Sequence, residues 1–122
     1  MARILIADDS DAIRMVLKDI ITIGKHECAS EAANGLDAVE QFKQTNPDVV
    51  LLDMAMPKKD GLAVLKEITA LKPKVKVIMI TATDNQSIIK QCIAVGASAY
   101  ILKPFNFEDV LSKIDQVLQS TD

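Results

Sequence analysis

Five side chains that could bind a ligand or take part in a reaction lie directly after short apolar runs of the chain. They are Asp8, Asp9, Asp53, Thr81 and Lys103. If the apolar runs are parallel strands, their carboxyl ends lie at one edge of a sheet, where such folds bind ligands. Three carboxylates, a hydroxyl and an ammonium group would then meet at that edge.

The three carboxylates would repel one another unless a cation joined them. A hard divalent cation prefers oxygen ligands, so the cluster predicts a metal site. Calcium usually takes more protein oxygens than this edge offers, whereas magnesium binds few carboxylates, keeps several waters and often shares oxygens with phosphate. We therefore expect Mg²⁺ at Asp8, Asp9 and Asp53.

Other polar residues near these positions have simpler explanations. Ser10 and Asp11 open the first helical pattern, and Asp84 opens a later one. Short oxygen-bearing side chains cap helix N-termini, so we interpret these residues as helix caps or solvated charges.

The elements that would position the site alternate between strand and helix patterns. Three runs rich in β-branched residues predict strands covered on both faces, at residues 4–6, 49–52 and 75–80. Two less hydrophobic runs, at residues 27–33 and 98–102, predict edge strands. Gly24, Gly96 and the Pro73 region predict helix ends.

Five apolar stripes with helical spacing lie between or after the strands, and we assign them to core packing. They comprise Ile13, Val16, Leu17, Ile20 and Ile21; Leu36, Val39 and Phe42; Val64, Leu65, Ile68 and Leu71; Ile88, Ile89, Cys92 and Ile93; and Val110, Leu111, Ile114, Val117 and Leu118. The alternation predicts one α/β domain over residues 1–122, with a doubly wound parallel sheet of order 2-1-3-4-5, flavodoxin-like, and five helices on two faces.

Composition argues against several classes of protein. The net charge is −3 with basic residues spread along the chain, so nucleic-acid binding is not expected. No apolar run approaches the roughly 20 residues that span a bilayer, and the N-terminus does not resemble a signal peptide. We expect a cytoplasmic protein without membrane insertion, in which Cys28 and Cys92 are small buried hydrophobic residues.

Four segments carry a specific resemblance. They are Asp8-Asp9, the sequence Leu-Leu-Asp-Met-Ala-Met-Pro-Lys-Lys-Asp-Gly at residues 51–61, Thr81-Ala82, and Tyr-Ile-Leu-Lys-Pro-Phe at residues 100–105. Together they resemble the receiver domain of two-component response regulators over the whole chain. Within that family the chain is most similar to single-domain chemotaxis regulators of the CheY type.

The resemblance implies a role for each site residue. Asp53 would accept the phosphoryl group; Asp9 and Asp53 would bind Mg²⁺ directly, Asp8 mainly through water, and Ala55 through its backbone carbonyl. Thr81 and Lys103 would contact phosphoryl oxygens.

The resemblance also implies a switch and an unusual peptide bond. Tyr100 would respond to phosphorylation together with Thr81, and the Lys103–Pro104 bond would be cis. The altered surface would include strand 5 and the two last helices, where we expect Ile89 as an exposed apolar contact for a partner.

The implied protein signals by phosphorylation-dependent protein binding and catalyses only its own phosphorylation and dephosphorylation. The resemblance implies that a phosphohistidine of a histidine kinase is the donor. This chain would not be that kinase, because its only histidine, His26, lies in a loop that we expect at the surface. We expect a monomer that acts on a downstream protein, with the motility apparatus as the first candidate. The alternatives are a phosphorelay intermediate or a fragment of a larger regulator, although the last helix leaves no evident room for an output domain.

Two other classes fit less well. An aspartate-nucleophile phosphatase needs a second aspartate two residues after the first, and Ala55 stands there. A flavin or nucleotide module would have a glycine-rich or hydroxyl-rich loop after strand 1, whereas this loop is acidic.

Overall fold

Strands and helices alternate regularly along the chain in the computed structural model, which describes residues 2–119. The elements are β1 (Arg3–Ala7), α1 (Asp11–Ile23), β2 (Glu27–Ala32), α2 (Gly35–Thr45), β3 (Val49–Asp53), α3 (Gly61–Leu71), β4 (Lys76–Thr81), α4 (Gln86–Val95), β5 (Ala99–Leu102) and α5 (Phe107–Gln119). The predicted strands are all present, with ends that differ by at most one residue.

The strands form one parallel sheet of order β2-β1-β3-β4-β5, which confirms the predicted topology. The three most hydrophobic strands are central, and the weaker β2 and β5 are edges, as their composition predicts. β1 and β3 are neighbours although α1, β2 and α2 separate them in sequence. The chain therefore reverses its winding direction at β1, and the ends of β1 and β3 come together.

Alternate residues of the central strands supply two hydrophobic cores on opposite faces of the sheet. Leu5, Val50 and Val77 pack in the core that also contains buried apolar residues of α2 and α3 and Cys92 of α4. Ile4 and Ile78 pack in the core shared with α1 and α5. Because strand side chains alternate between faces, a central strand covered on both sides must be apolar throughout.

Helix starts are fixed by side-chain caps. Ser10, Asn34 and Asp60 each accept a hydrogen bond from the first turn of α1, α2 and α3 respectively. α4 is capped by Asn85, and Asp84 one residue earlier is exposed, which agrees with the alternative of a solvated charge. Asp11 lies in the first turn of α1, where a negative charge interacts favourably with the helix dipole.

The helical stripes predicted too wide a core. Five of their members are exposed: Val16, Leu36, Leu71, Ile93 and Leu118. The opposite error concerns Ile89, which is 7% exposed and packs inward with Cys92, so it is not the expected exposed contact. Apolar residues surround α4 over a broad arc, and periodicity alone did not identify the face that meets the sheet.

Three smaller expectations concern single residues. His26 is half-buried rather than at the surface, and its Nδ1 accepts a hydrogen bond from the backbone N–H of Ala2 at 3.0 Å. Cys92 is buried, while Cys28 is half-buried, and both are free thiols. Within residues 2–119, no helix combines the length and the apolarity needed to cross a bilayer.

Candidate functional site

The ends of four strands bring the chemically active side chains to one edge of the sheet. Asp8 and Asp9 follow β1, and Asp53 is the last residue of the adjacent β3. Thr81 ends β4, and Lys103 follows β5. The convergence expected from the sequence is therefore present in the structure.

The three aspartates form a tight carboxylate cluster. One oxygen from each of Asp8, Asp9 and Asp53 can be chosen so that all three lie within 4.8 Å of one another. Asp8 and Asp53 are buried, whereas Asp9 is exposed. Oxygens at this spacing could share one hard divalent ion, and the exposed Asp9 gives that ion a side open to water.

Lys103 lies against the two buried carboxylates. Its Nζ is 3.0 Å from Oδ2 of Asp8 and 3.3 Å from Oδ1 of Asp53. One ammonium against three carboxylates leaves the cluster with two negative charges in excess. A divalent cation would balance that excess, so the donor set fits Mg²⁺ in charge as well as in chemistry.

Burial and charge act on the ionisable groups of this cluster in a consistent way. Burial raises the pKa of Asp53, and the charge of Asp8 raises it further, against the lowering effects of Lys103 and of the backbone N–H of Ala55. Burial alone would lower the pKa of Lys103, but its contacts with Asp8 and Asp53 outweigh this and raise that pKa. Asp53 is thus a carboxylate whose charge is only partly compensated.

The turn between β1 and α1 holds Asp8 by several hydrogen bonds. The backbone N–H of Asp8 donates to the carbonyl of Ala32 at 3.0 Å, and the N–H of Ser10 donates to Oδ1 of Asp8 at 2.9 Å. Arg14, on α1, donates from Nη1 to the carbonyl oxygen of Asp8 at 2.7 Å. The sequence reasoning missed Arg14, and its spacing three residues after Asp11 was the available signal.

The loop from Asp53 to α3 depends on a glycine that the sequence reasoning treated only as part of a motif. The N–H of Gly61 donates to the carbonyl of Met54 at 2.8 Å. A Cβ at this position would lie 2.4 Å from the carbonyl oxygen of Asp53 and 2.7 Å from Cα of Met54. Only glycine permits this approach, which sets the path of the backbone through the exposed Ala55.

An open cleft of about 450 Å³ lies beside Asp53 and is lined by Asp9, Ala55, Thr81, Thr83 and Lys103, among others. Oγ1 of Thr81 accepts a hydrogen bond from the N–H of Thr83 at 3.1 Å, which leaves the hydroxyl proton available to an acceptor in the cleft. The cleft therefore offers a hydroxyl donor and an ammonium beside the Asp53 carboxylate.

Tyr100 lies behind this site on β5 and is half-buried. A cavity of about 10 Å³ separates it from Thr81 and is otherwise lined by Met54, Met79, Ile88, Ile89 and Cys92. Such a space holds no more than about one water molecule. A tyrosine ring could enter only if the surrounding side chains moved.

The connection after β5 has the expected geometry. The Lys103–Pro104 peptide bond is cis, as the resemblance implied. The N–H of Lys103 donates to the carbonyl of Thr81 at 2.8 Å, so the backbone on which the ammonium group is carried is tied to β4.

Comparison with known proteins gives a consistent result. The profile of the response regulator receiver domain matches residues 4–115. The chain is 41% identical to the chemotaxis protein CheY of Thermotoga maritima, over 94% of this chain and 96% of that protein. It is also 41% identical to CheY of Bacillus subtilis, over 95% of this chain and 97% of that protein.

A solved structure extends the likeness to three dimensions. The chain matches one chain of the CheX–CheY–BeF₃–Mg²⁺ complex of Borrelia burgdorferi with a TM-score of 0.93 and 34% identity. The match covers 97% of this chain and 90% of that chain.

Proposed function

The chain belongs to the family of response regulator receiver domains, and on that premise we propose that it is a phosphorylatable switch whose acceptor is Asp53. The main observation that supports this proposal is the position of the Asp53 carboxylate. It is buried at the end of β3, next to two further carboxylates, and 3.3 Å from the ammonium of Lys103. The open cleft beside it gives a phosphodonor access.

The proposed reaction is a phosphoryl transfer from a phosphohistidine of a kinase. A carboxylate oxygen of Asp53 forms a bond to phosphorus while the phosphorus–nitrogen bond breaks, and the imidazole leaves with the electron pair of that bond. Lys103 would pair with a phosphoryl oxygen, and the hydroxyl of Thr81 would donate to another. The protein would thus be no enzyme for other substrates, but would catalyse only its own phosphorylation and dephosphorylation.

Mg²⁺ is the proposed cofactor. Asp9, Asp53 and the carbonyl of Ala55 would bind the ion directly, and Asp8 would act mainly through water. When bound, the ion would neutralise negative charge on the phosphoryl oxygens. Support comes from the excess of two negative charges in the cluster and from the Mg²⁺ named with the Borrelia complex.

For the output we propose phosphorylation-dependent binding of a downstream protein in chemotaxis or motility control, by a cytoplasmic monomer. The 41% identity to two CheY proteins over nearly their whole length supports this proposal. A phosphorelay intermediate is the second candidate. In that case the phosphoryl group would pass from Asp53 to a histidine of another protein.

The proposed switch runs from Thr81 to Tyr100. A hydrogen bond from Thr81 to the new phosphoryl group would draw the end of β4 toward Asp53 and enlarge the small cavity beside Tyr100. The ring would then turn inward, as a shift in the population of two conformations. This would change the surface formed by α4, β5 and α5.

Phosphorylation is tested directly by intact-protein mass spectrometry after incubation with acetyl phosphate and MgCl₂. We expect one added phosphoryl group, lost in Asp53→Asn and suppressed by EDTA. Asp115→Asn, which removes an exposed charge on α5, is the matched control and should be labelled normally. Undiminished labelling of Asp53→Asn would show that the acceptor lies elsewhere.

The two outputs are separated by a transfer assay and a cell assay. A phosphorelay intermediate should lose its label to a histidine phosphotransfer protein of the same organism. A motility regulator should instead leave cells with altered swimming when its gene is deleted, and an Asp53→Asn copy should not restore the normal behaviour.

A further inference from the structure

We propose that Arg14 is a positioning residue for the metal site, acting through the backbone that joins Asp8 to Asp9. The inference rests on the proposed Mg²⁺ binding and assigns to Arg14 a part of that affinity. Arg14 does not touch the carboxylate cluster. Its contacts are with the carbonyl oxygen of Asp8 and with two acidic side chains on either side of it.

The guanidinium group of Arg14 contacts three different residues. Nη1 donates to the carbonyl oxygen of Asp8 at 2.7 Å, Nε donates to Oε1 of Glu31 at 3.0 Å, and Nη2 pairs with Asp11. The Arg14 side chain is only 14% exposed. A planar group with several fixed donors that is held by partners on β2 and α1 has little freedom to move.

The carbonyl that Arg14 holds belongs to the peptide that links Asp8 to Asp9. Rotation of this peptide would swing the backbone of Asp9 and carry its carboxylate away from the cluster. The side chain of Asp9 makes no hydrogen bond to any residue between 2 and 119, so its position is set by the backbone alone. Arg14 therefore restrains the one proposed metal ligand that has no side-chain restraint of its own.

The positioning role of Arg14 and its positive charge predict opposite effects on Mg²⁺ affinity when Arg14 is replaced, so an experiment can distinguish them. Arg14 carries a positive charge near a cation site, so its loss should tighten Mg²⁺ binding if charge were its only influence. If Arg14 positions Asp9, its loss should weaken Mg²⁺ binding. Groups that orient metal ligands from outside the coordination shell typically affect metal affinity about 10–100-fold.

The experiment is isothermal titration of the full chain with MgCl₂, without any phosphodonor. We expect Arg14→Gln to weaken Mg²⁺ binding about tenfold, at the lower end of that range, because Asp8 and Asp53 stay in place. Arg14→Lys keeps the charge but offers one nitrogen in place of the planar fork, and should also bind Mg²⁺ more weakly.

Lys18→Gln is the matched control. Lys18 lies one turn further along α1 and pairs with Oε2 of Glu31 at 2.8 Å, but it makes no contact with Asp8. Its loss removes the same charge from the same network, and Mg²⁺ affinity should stay within about twofold of the wild type. Urea unfolding in EDTA gives the stability of each variant, so that a loss of folded protein is separated from a loss of affinity.

The outcomes are distinct. Unchanged or tighter Mg²⁺ binding by folded Arg14→Gln overturns the proposal, and so does wild-type affinity in Arg14→Lys. A loss of affinity in Lys18→Gln equal to that in Arg14→Gln also overturns it, because the effect would then belong to the network and not to the Asp8 contact. Failure of the wild type to bind Mg²⁺ would instead refute the proposed cofactor.

Discussion

Replacing Asp53 by asparagine should stabilise the metal-free protein while removing its response to Mg²⁺. The side chain of Asp53 is 6% exposed and lies within a cluster of three carboxylates. Lys103 contacts both Asp53 and Asp8, and the shorter of its two contacts is with Asp8. After the substitution that shorter ion pair remains, and one of the two buried carboxylate charges of the site is gone.

The magnitude follows from three opposing contributions. At an effective dielectric constant of about 20, the repulsion from Asp8 at the 4.8 Å limit of the cluster amounts to roughly 3–4 kcal/mol, and the exposed Asp9 adds less. The attraction to Lys103 at 3.3 Å is roughly 5 kcal/mol on the same scale. These contributions nearly cancel, so the cost of burying the Asp53 charge decides the sign.

We therefore expect Asp53→Asn to be about 1–2 kcal/mol more stable in EDTA, which corresponds to a rise in Tm of about 4–8 °C for a chain of this size. Magnesium at ten times its Kd should roughly offset this advantage. At a concentration ten times its Kd, a bound ion stabilises the wild type by about 1.4 kcal/mol, whereas the variant has lost a proposed ligand and should gain little.

Differential scanning calorimetry in EDTA and in MgCl₂ measures both effects, with Asp115→Asn as the control for loss of one exposed negative charge. A lower Tm for Asp53→Asn in EDTA would show that the attraction to Lys103 outweighs burial and repulsion. An equal rise in Tm with Mg²⁺ in variant and wild type would show that Asp53 is not a metal ligand.

Three further predictions follow from particular contacts. Gly61→Ala should lower the free energy of unfolding by about 1–3 kcal/mol, because the new Cβ would lie 2.4 Å from the carbonyl oxygen of Asp53. Urea unfolding measures this loss. Gly24→Ala is the control and should cost less, because the nearest atom there is the end of the Leu111 side chain. Glu31→Gln should cost at most about 1 kcal/mol at pH 7, since the side chain is 35% exposed. The hydrogen bond from Lys18 is the main cause that lowers the pKa of Glu31. The stabilisation that Glu31 contributes is therefore fully present above its unfolded-state pKa and is lost as the pH falls through its folded-state pKa. The difference in the free energy of unfolding between variant and wild type should vanish in acid. Beryllofluoride with MgCl₂ should change the fluorescence of Tyr100, the single tyrosine of a chain without tryptophan. Thr81→Ala should reduce that change. An equal change in the variant and the wild type would show that the Thr81 hydroxyl does not take part in the switch.

The fold could be predicted because continuous apolar runs, typical of buried strands, alternate along the chain with apolar stripes of helical spacing. Continuous apolar runs such as Val49 to Leu52 can be satisfied only by strands covered on both faces, and that requirement fixes which strands are central. The same signals located Asp8, Asp53 and Lys103 at the edge, since each stands where a strand ends. Strand order then decided that they would meet.

Orientation around a helix was harder to predict, for a physical reason. α4 carries apolar residues over a wide arc, so its pattern fits several rotations, and in the structure Ile89 is buried while Ile93 is exposed. Contacts to backbone atoms leave no periodic trace at all. The bond from Arg14 to the Asp8 carbonyl and the close approach of Gly61 to Asp53 appear only when the loops have a defined path.

The electrostatics of the site explain why its residues would make a sensitive switch. Lys103 is shared between Asp8 and Asp53, and it cannot satisfy both charges fully. A site with uncompensated charge gains much from a cation, and a phosphoryl group on Asp53 would change which partner Lys103 prefers. The backbone of Lys103 is bonded to the Thr81 carbonyl, and Tyr100 lies three residues earlier on β5. A new charge at Asp53 would therefore act on β5 from two sides, through the ammonium group of Lys103 and through the end of β4. A ligand can shift a conformational equilibrium only by its difference in affinity for the two states, and this shared contact is where such a difference would arise.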